Sequence, residues 1–96
     1  MSESAGWAKL QQLFVRRLHE RISLMTATAA KIEQGNAEAR AEMRRQFHSL
    51  AGIGGTFGYP SISDLAREGE MLCASNGGNV RIIVERLAHA AAEVAE

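Results

Sequence analysis

FHSLAGIGGTFGYP, residues Phe47 to Pro60, carries the end of one helix and the start of the next. Phe47, Leu50, Gly54 and Phe57 recur in steps of three and four, the period of one helix face. Gly58, Tyr59 and Pro60 break that face. Proline belongs in the first turn of a helix or outside one, so Pro60 is expected to open a new segment. Gly52, Gly54, Gly55 and Gly58 crowd into seven residues, although a glycine inside a helix costs about 1 kcal/mol relative to alanine. Gly54 lies on the core face, where it would let a neighbouring helix come close.

The remaining glycines leave the surface bare beside His48. That residue stands about 100° round the helix from Phe47, which places its ring at the edge of the packed face, in solvent. Its helical neighbours are Arg44, Arg45, Ala51 and Gly52, with Gly55 one turn further. The arginines suit a phosphoryl group or an acidic partner surface, and the missing side chains let another protein reach the imidazole. On spacing alone, the pattern also fits a surface histidine in a helix frayed by glycine.

Outward from this stretch the chain divides into four amphipathic segments. Trp7, Leu10, Phe14, Leu18, Ile22, Met25, Ala29 and Ile32 follow the helical period, and Gly35 and Asn36 supply a stop and a cap for the next helix. The second stripe starts at Ala39 and Met43 and runs into Phe47. The third carries Ile62, Leu65, Gly69 and Leu72; SNGGN, Ser75 to Asn79, reads as a turn; Val80, Ile83, Leu87, Ala91 and Val94 make the last stripe. Four such helices with short loops predict an all-α fold, an antiparallel up-down-up-down four-helix bundle formed by residues 1–96 as a single domain. The first helix is about twice as long as the third, so part of it is expected to act as a lid or to split in two.

Composition agrees and narrows the function classes. Hydrophobic residues make up 46% and aromatics only 5%, enough for one modest helical core. Eleven basic residues balance eleven acidic ones, which gives no sign of a nucleic-acid binder. The single cysteine, Cys73, allows no intrachain disulfide and points to a reducing compartment. No secretory signal opens the chain, and no apolar run approaches the roughly 20 residues that span a bilayer. A soluble cytoplasmic protein without membrane association is expected.

Several chemistries fail on spacing. No Gly-Lys-Ser/Thr follows the glycines, so there is no P-loop, and a dinucleotide fingerprint would require glycine where Phe57 stands. No histidine has a glutamate three residues before it, and the HERIS segment at His19 lacks the second histidine of a zinc-protease helix; no metal site is expected. Ser49 adjoins His48 in sequence, but adjacent helical residues do not face each other, which removes a serine nucleophile. His19 and His89 read as structural or solvated.

HSLAGIGGTFGY resembles the signature of histidine-containing phosphotransfer (HPt) domains: His-x-Leu-x-Gly followed six residues later by a second glycine, here His48, Leu50, Gly52 and Gly58. Thr56 to Tyr59, TFGY, is particularly similar to the phosphoacceptor domain of chemotaxis histidine kinases. The resemblance implies a two-component phosphorelay protein that carries a phosphoryl group on His48, between receiver-domain aspartates or from a histidine kinase. It implies a phosphoryl carrier and not an enzyme, with no cofactor of its own and Mg²⁺ on the partner receiver. By the same resemblance Glu70, twenty-two residues after His48, orients the ring through its other nitrogen, against a reading as a solvated helix residue. Arg67, one turn before Glu70, would support it or touch phosphate. Arg44, Arg45, Ala51, Gly52, Gly55 and Arg67 are the expected partner-binding residues.

The sequence departs from the family at Ala51, where relatives commonly carry a lysine; Arg44, Arg45 or Arg67 would then have to supply the cation. Three functions compete. The first is a free-standing relay intermediate, working as a monomer, since 96 residues leave no room for a kinase domain. The second is an excised phosphoacceptor domain of a chemotaxis-type kinase. The third is a non-catalytic helical docking protein that binds receiver domains without phosphotransfer.

Overall fold

Glycines set the ends of the first two helices. Gly35 takes φ +88° and Gly58 φ +85°, a region that costs glycine nothing and other residues much. At each, two backbone bonds close the preceding helix. Gly35 N–H reaches Ile32 O and Asn36 N–H reaches Lys31 O; Gly58 N–H reaches Gly55 O and Tyr59 N–H reaches Gly54 O. This is the paired termination that satisfies orphan carbonyls at a helix C-terminus. Asn36 then caps the following helix, its side chain accepting from Ala39 N–H at 3.0 Å. Pro60 occupies the first turn of the helix after Gly58.

The computed structural model, which describes residues 2–75 and 78–94, contains α1 (Ser2–Glu33), α2 (Ala37–Thr56), α3 (Pro60–Ala74) and α4 (Val80–Glu93). Each helix packs against two others in the order α1–α2–α3–α4–α1, with α1 diagonal to α3 and α2 to α4. With short connections, this is an antiparallel four-helix bundle. Of the expected turn at Ser75 to Asn79, Asn76 and Gly77 lie outside the described residues; Asn79 caps α4 by accepting from Arg81 N–H.

The α2 stripe packs as the periodicity requires: Ala39, Met43, Phe47, Leu50 and Gly54 are buried. Two other stripes differ. On α3 the buried face is Ile62, Ser63, Ala66, Gly69 and Cys73, while Leu65 and Leu72 are only half-buried. The cause is close approach to α2. A Cβ on Gly54 would lie 3.2 Å from Ser63 N, and one on Gly69 would lie 2.5 Å from the ring of the fully buried Phe47. Small residues therefore turn toward α2 and the leucines move to the flank. Ser63 is satisfied in the interior by donating to Ala51 O at 2.7 Å.

On α1, Phe14, Val15, Leu18, Ile22, Met25 and Ala29 are buried, but Trp7 and Leu10 keep 44% and 50% of their surface. The reason is length. The 32 residues of α1 rise about 48 Å at ~1.5 Å each, against about 21 Å for the 14 residues of α4. The helix is one continuous piece; it neither splits nor folds back, and its N-terminal turns overshoot the end of α4. There it meets the α2–α3 turn instead. Trp7 stacks on Phe57, Phe57 on Phe14 and Phe14 on Tyr59, with centroids 5.1–5.5 Å apart. Gln11 adds a bond from Nε2 to Phe57 O at 3.0 Å.

Candidate functional site

The outward line of α2 begins with the arginines and ends with the bare glycines. His48 lies between them, its side chain 77% exposed. Across the α2–α3 seam its Nδ1 is 2.8 Å from Glu70 Oε2, and the carboxylate is the more sheltered partner at 27% exposure. An ionised carboxylate only accepts hydrogen bonds, so the ring donates Nδ1–H. In the neutral imidazole, the lone pair then resides on Nε2. At this exposure the pair contributes about 0–1 kcal/mol to stability; its main effect is to fix tautomer and ring direction.

Beyond His48 toward the C-terminus the surface is open. A Cβ on Gly52 would meet nothing within 4 Å, and one on Gly55 would meet only Ser63 Oγ at 3.7 Å. Ala51 is placed otherwise than the expected docking face requires: it is 7% exposed and part of the core. Four residues after Phe47, it shares that ring's side of the helix and falls beneath α3. Its methyl group is therefore not on the open surface.

The arginines separate by partner. Arg45 pairs with Glu42 at 2.8 Å; the Gln46 amide and the Arg45 guanidinium together hold that carboxyl below its usual range. Arg67 pairs with Asp64 at 3.1 Å, within its own helix, and so does not brace Glu70 as the sequence reading allowed. Arg44 lies in an open cleft of about 520 Å³ between α2 and α3, lined also by Arg40, Arg45, His48, Glu70 and Cys73. Burial pushes the Cys73 thiol up, against the opposing pull of Arg40 and Arg44. His19 and His89 are both exposed, on α1 and α4.

Two features escape periodicity. Arg40 reaches from α2 to the end of α3, donating to the carbonyls of Leu72 at 2.7 Å, Cys73 at 3.2 Å and Ser75 at 2.8 Å. A basic side chain capping a helix C-terminus is ordinary chemistry, but here it comes from a neighbouring helix and leaves no local signal. The second feature is an apolar groove of about 230 Å³ between α1 and α2. Leu10, Leu13, Ile53 and Phe57 line it, with Arg17 and Arg21 at its edge. Arg21 also donates to Ser49, the residue beside His48, at 3.2 Å. Leu13, off the core stripe of α1, is its one sequence signal.

Among the described residues no three His, Cys, Asp or Glu side chains converge to hold a metal ion, and no helix is long and apolar enough to cross a membrane. No curated protein and no solved structure is matched by the chain. A family model does match it over residues 9–96, from α1 through α4: that of the Hpt domain.

Proposed function

The chain belongs to the Hpt domain family, and we propose that it carries a phosphoryl group on His48 Nε2. Members of this family are phosphocarriers of histidine phosphorelays, meeting receiver domains and kinases. The observation that carries the assignment to His48 is the 2.8 Å contact of Nδ1 with Glu70 on a ring that is 77% exposed. One nitrogen is held and the other is presented.

The chemistry follows from that arrangement. The Nε2 lone pair attacks the phosphorus of an aspartyl phosphate on a receiver. A P–N bond forms as the acyl P–O bond breaks, and its electron pair leaves on the aspartate carboxylate. The imidazole becomes cationic as it reacts, and Glu70 faces that charge through Nδ1–H, the logic of a nucleophile steadied by an oriented partner. Return transfer runs the same bonds in reverse. Phosphoryl transfer depends mostly on positioning and charge stabilisation; the receiver brings the Mg²⁺, and this chain brings a nucleophile and a docking face. That face comprises Gly52, Gly55 and the apolar groove toward α1. This domain acts as a relay intermediate, as a monomer in the cytoplasm.

The test is incubation with phosphorylated receiver domains. Label on the native chain and none on His48→Gln is the expected result. Label retained on His48→Gln overturns the assignment. A second reading, docking without transfer, draws on the neutral, buried Ala51 where relatives carry lysine; a complex with receiver that never yields phosphohistidine would establish it.

A further inference from the structure

A phosphoryl group on Nε2 brings about two negative charges to the surface, and charge-assisted bonds from a guanidinium are the strongest stabilisation a side chain can offer it. Position 51 cannot offer one, because it carries a methyl group turned beneath α3. Five arginines surround the site, and four are engaged. Arg40 is held by the carbonyls of Leu72, Cys73 and Ser75. Arg45 is held by Glu42, Arg67 by Asp64 and Arg21 by Ser49.

Arg44 is different. It is exposed, has no hydrogen bond or ion pair among the described residues, and lines the same cleft as His48 and Glu70. It is four residues before His48, hence its direct neighbour on the helix surface. Its pull on the Cys73 thiol agrees with a guanidinium turned into the α2–α3 seam. We infer that Arg44 is the cation that binds the phosphoryl group on His48, approaching from one turn on the N-terminal side instead of from position 51. The inference rests on His48 being the acceptor. A catalytic contact of this kind acts on the phosphoryl oxygens themselves, in the incoming donor and in the phosphohistidine.

The experiment uses phosphoramidate as a small phosphodonor, so that no partner surface enters, and follows phosphohistidine formation by ³¹P NMR. The native chain is compared with Arg44→Gln, Arg44→Lys, Arg16→Gln and His48→Gln. Arg44→Gln is expected to slow phosphorylation on the order of tenfold, the scale of one charge-assisted bond. Arg44→Lys should recover most of the rate, and Arg16→Gln, which removes an exposed α1 arginine outside the His48 cleft, should match the native chain. Raising the salt should slow the native chain toward Arg44→Gln while barely affecting that variant, because screening removes only a charge effect. Equal rates for Arg44→Gln and the native chain, or a loss in Arg44→Gln that Arg44→Lys does not recover, overturn the inference and leave the acceptor assignment standing. Failure of the native chain to be phosphorylated, or phosphorylation of His48→Gln, overturns both.

Discussion

Gly52 offers a direct test of why the surface beside His48 is bare. It sits inside α2, it is exposed, and a Cβ there meets nothing within 4 Å. By helix propensity alone, Gly52→Gln should stabilise the bundle by about 0.5 kcal/mol. For a domain of this size that is about 2–4 °C in Tm. If the strip exists for a partner, the added side chain will nevertheless hinder docking. Phosphoryl transfer from a receiver should then slow at least tenfold, about 1.4 kcal/mol. Phosphorylation by phosphoramidate, which needs no docked protein, should be unchanged. The assay is a thermal melt followed by circular dichroism, alongside rapid-quench transfer with each donor. A stabilised variant that accepts phosphate from the receiver at the native rate would refute the reasoning, since the glycine would then have no role in docking.

Other sites give outcomes of different sign. Gly69→Ala places a Cβ 2.5–2.6 Å from three atoms of the buried Phe47 ring; overpacking, less about 1 kcal/mol regained from helix propensity, should cost about 2 kcal/mol and be read as a fall in Tm. Glu70→Ala should slow transfer about tenfold in single-turnover assays, with Glu70→Gln intermediate because its amide oxygen can still accept Nδ1–H. Cys73, whose thiol is pushed above the ordinary 9.0 chiefly by burial, holds its proton more tightly folded than unfolded. Its contribution is therefore whole below about pH 9 and lost as pH climbs through the raised value, so urea melts should show an alkaline loss of stability that Cys73→Ala reduces.

The parts of the fold visible in the sequence are those that one helix decides by itself. The α2 stripe, the stop at Gly35 and the cap at Asn36 all follow from local period and local backbone chemistry. The buried face of α3 does not, because Gly54 and Gly69 draw two helices together and turn Ser63 and Ala66 inward at the expense of Leu65 and Leu72. Trp7 and Leu10 keep a perfect helical period yet remain half-exposed, since whether a stripe is covered depends on the length of α4. At the site, the exposure of His48 follows from its angle to Phe47. Its partnership with Glu70 was accessible only through the family resemblance, as no periodicity links residues on two helices. The pairings of Arg45 and Arg67 with acids in their own helices are ordinary three-residue contacts. They compete with the roles that a view centred on the histidine would assign to them.

Phe47 lies against Gly69, and the next residue on each helix makes the next contact, His48 with Glu70. The interior and the reactive surface are thus consecutive teeth of one rack. An exposed hydrogen bond worth less than about 1 kcal/mol would, alone, let the imidazole swing away for an appreciable fraction of the time. Sliding α3 along α2 would first have to lift an aromatic ring from its notch in a close-packed interior. The aim of the nucleophile is therefore guarded by the free energy of loosening the bundle, and a substitution hidden beneath the surface can disarm the histidine without touching it.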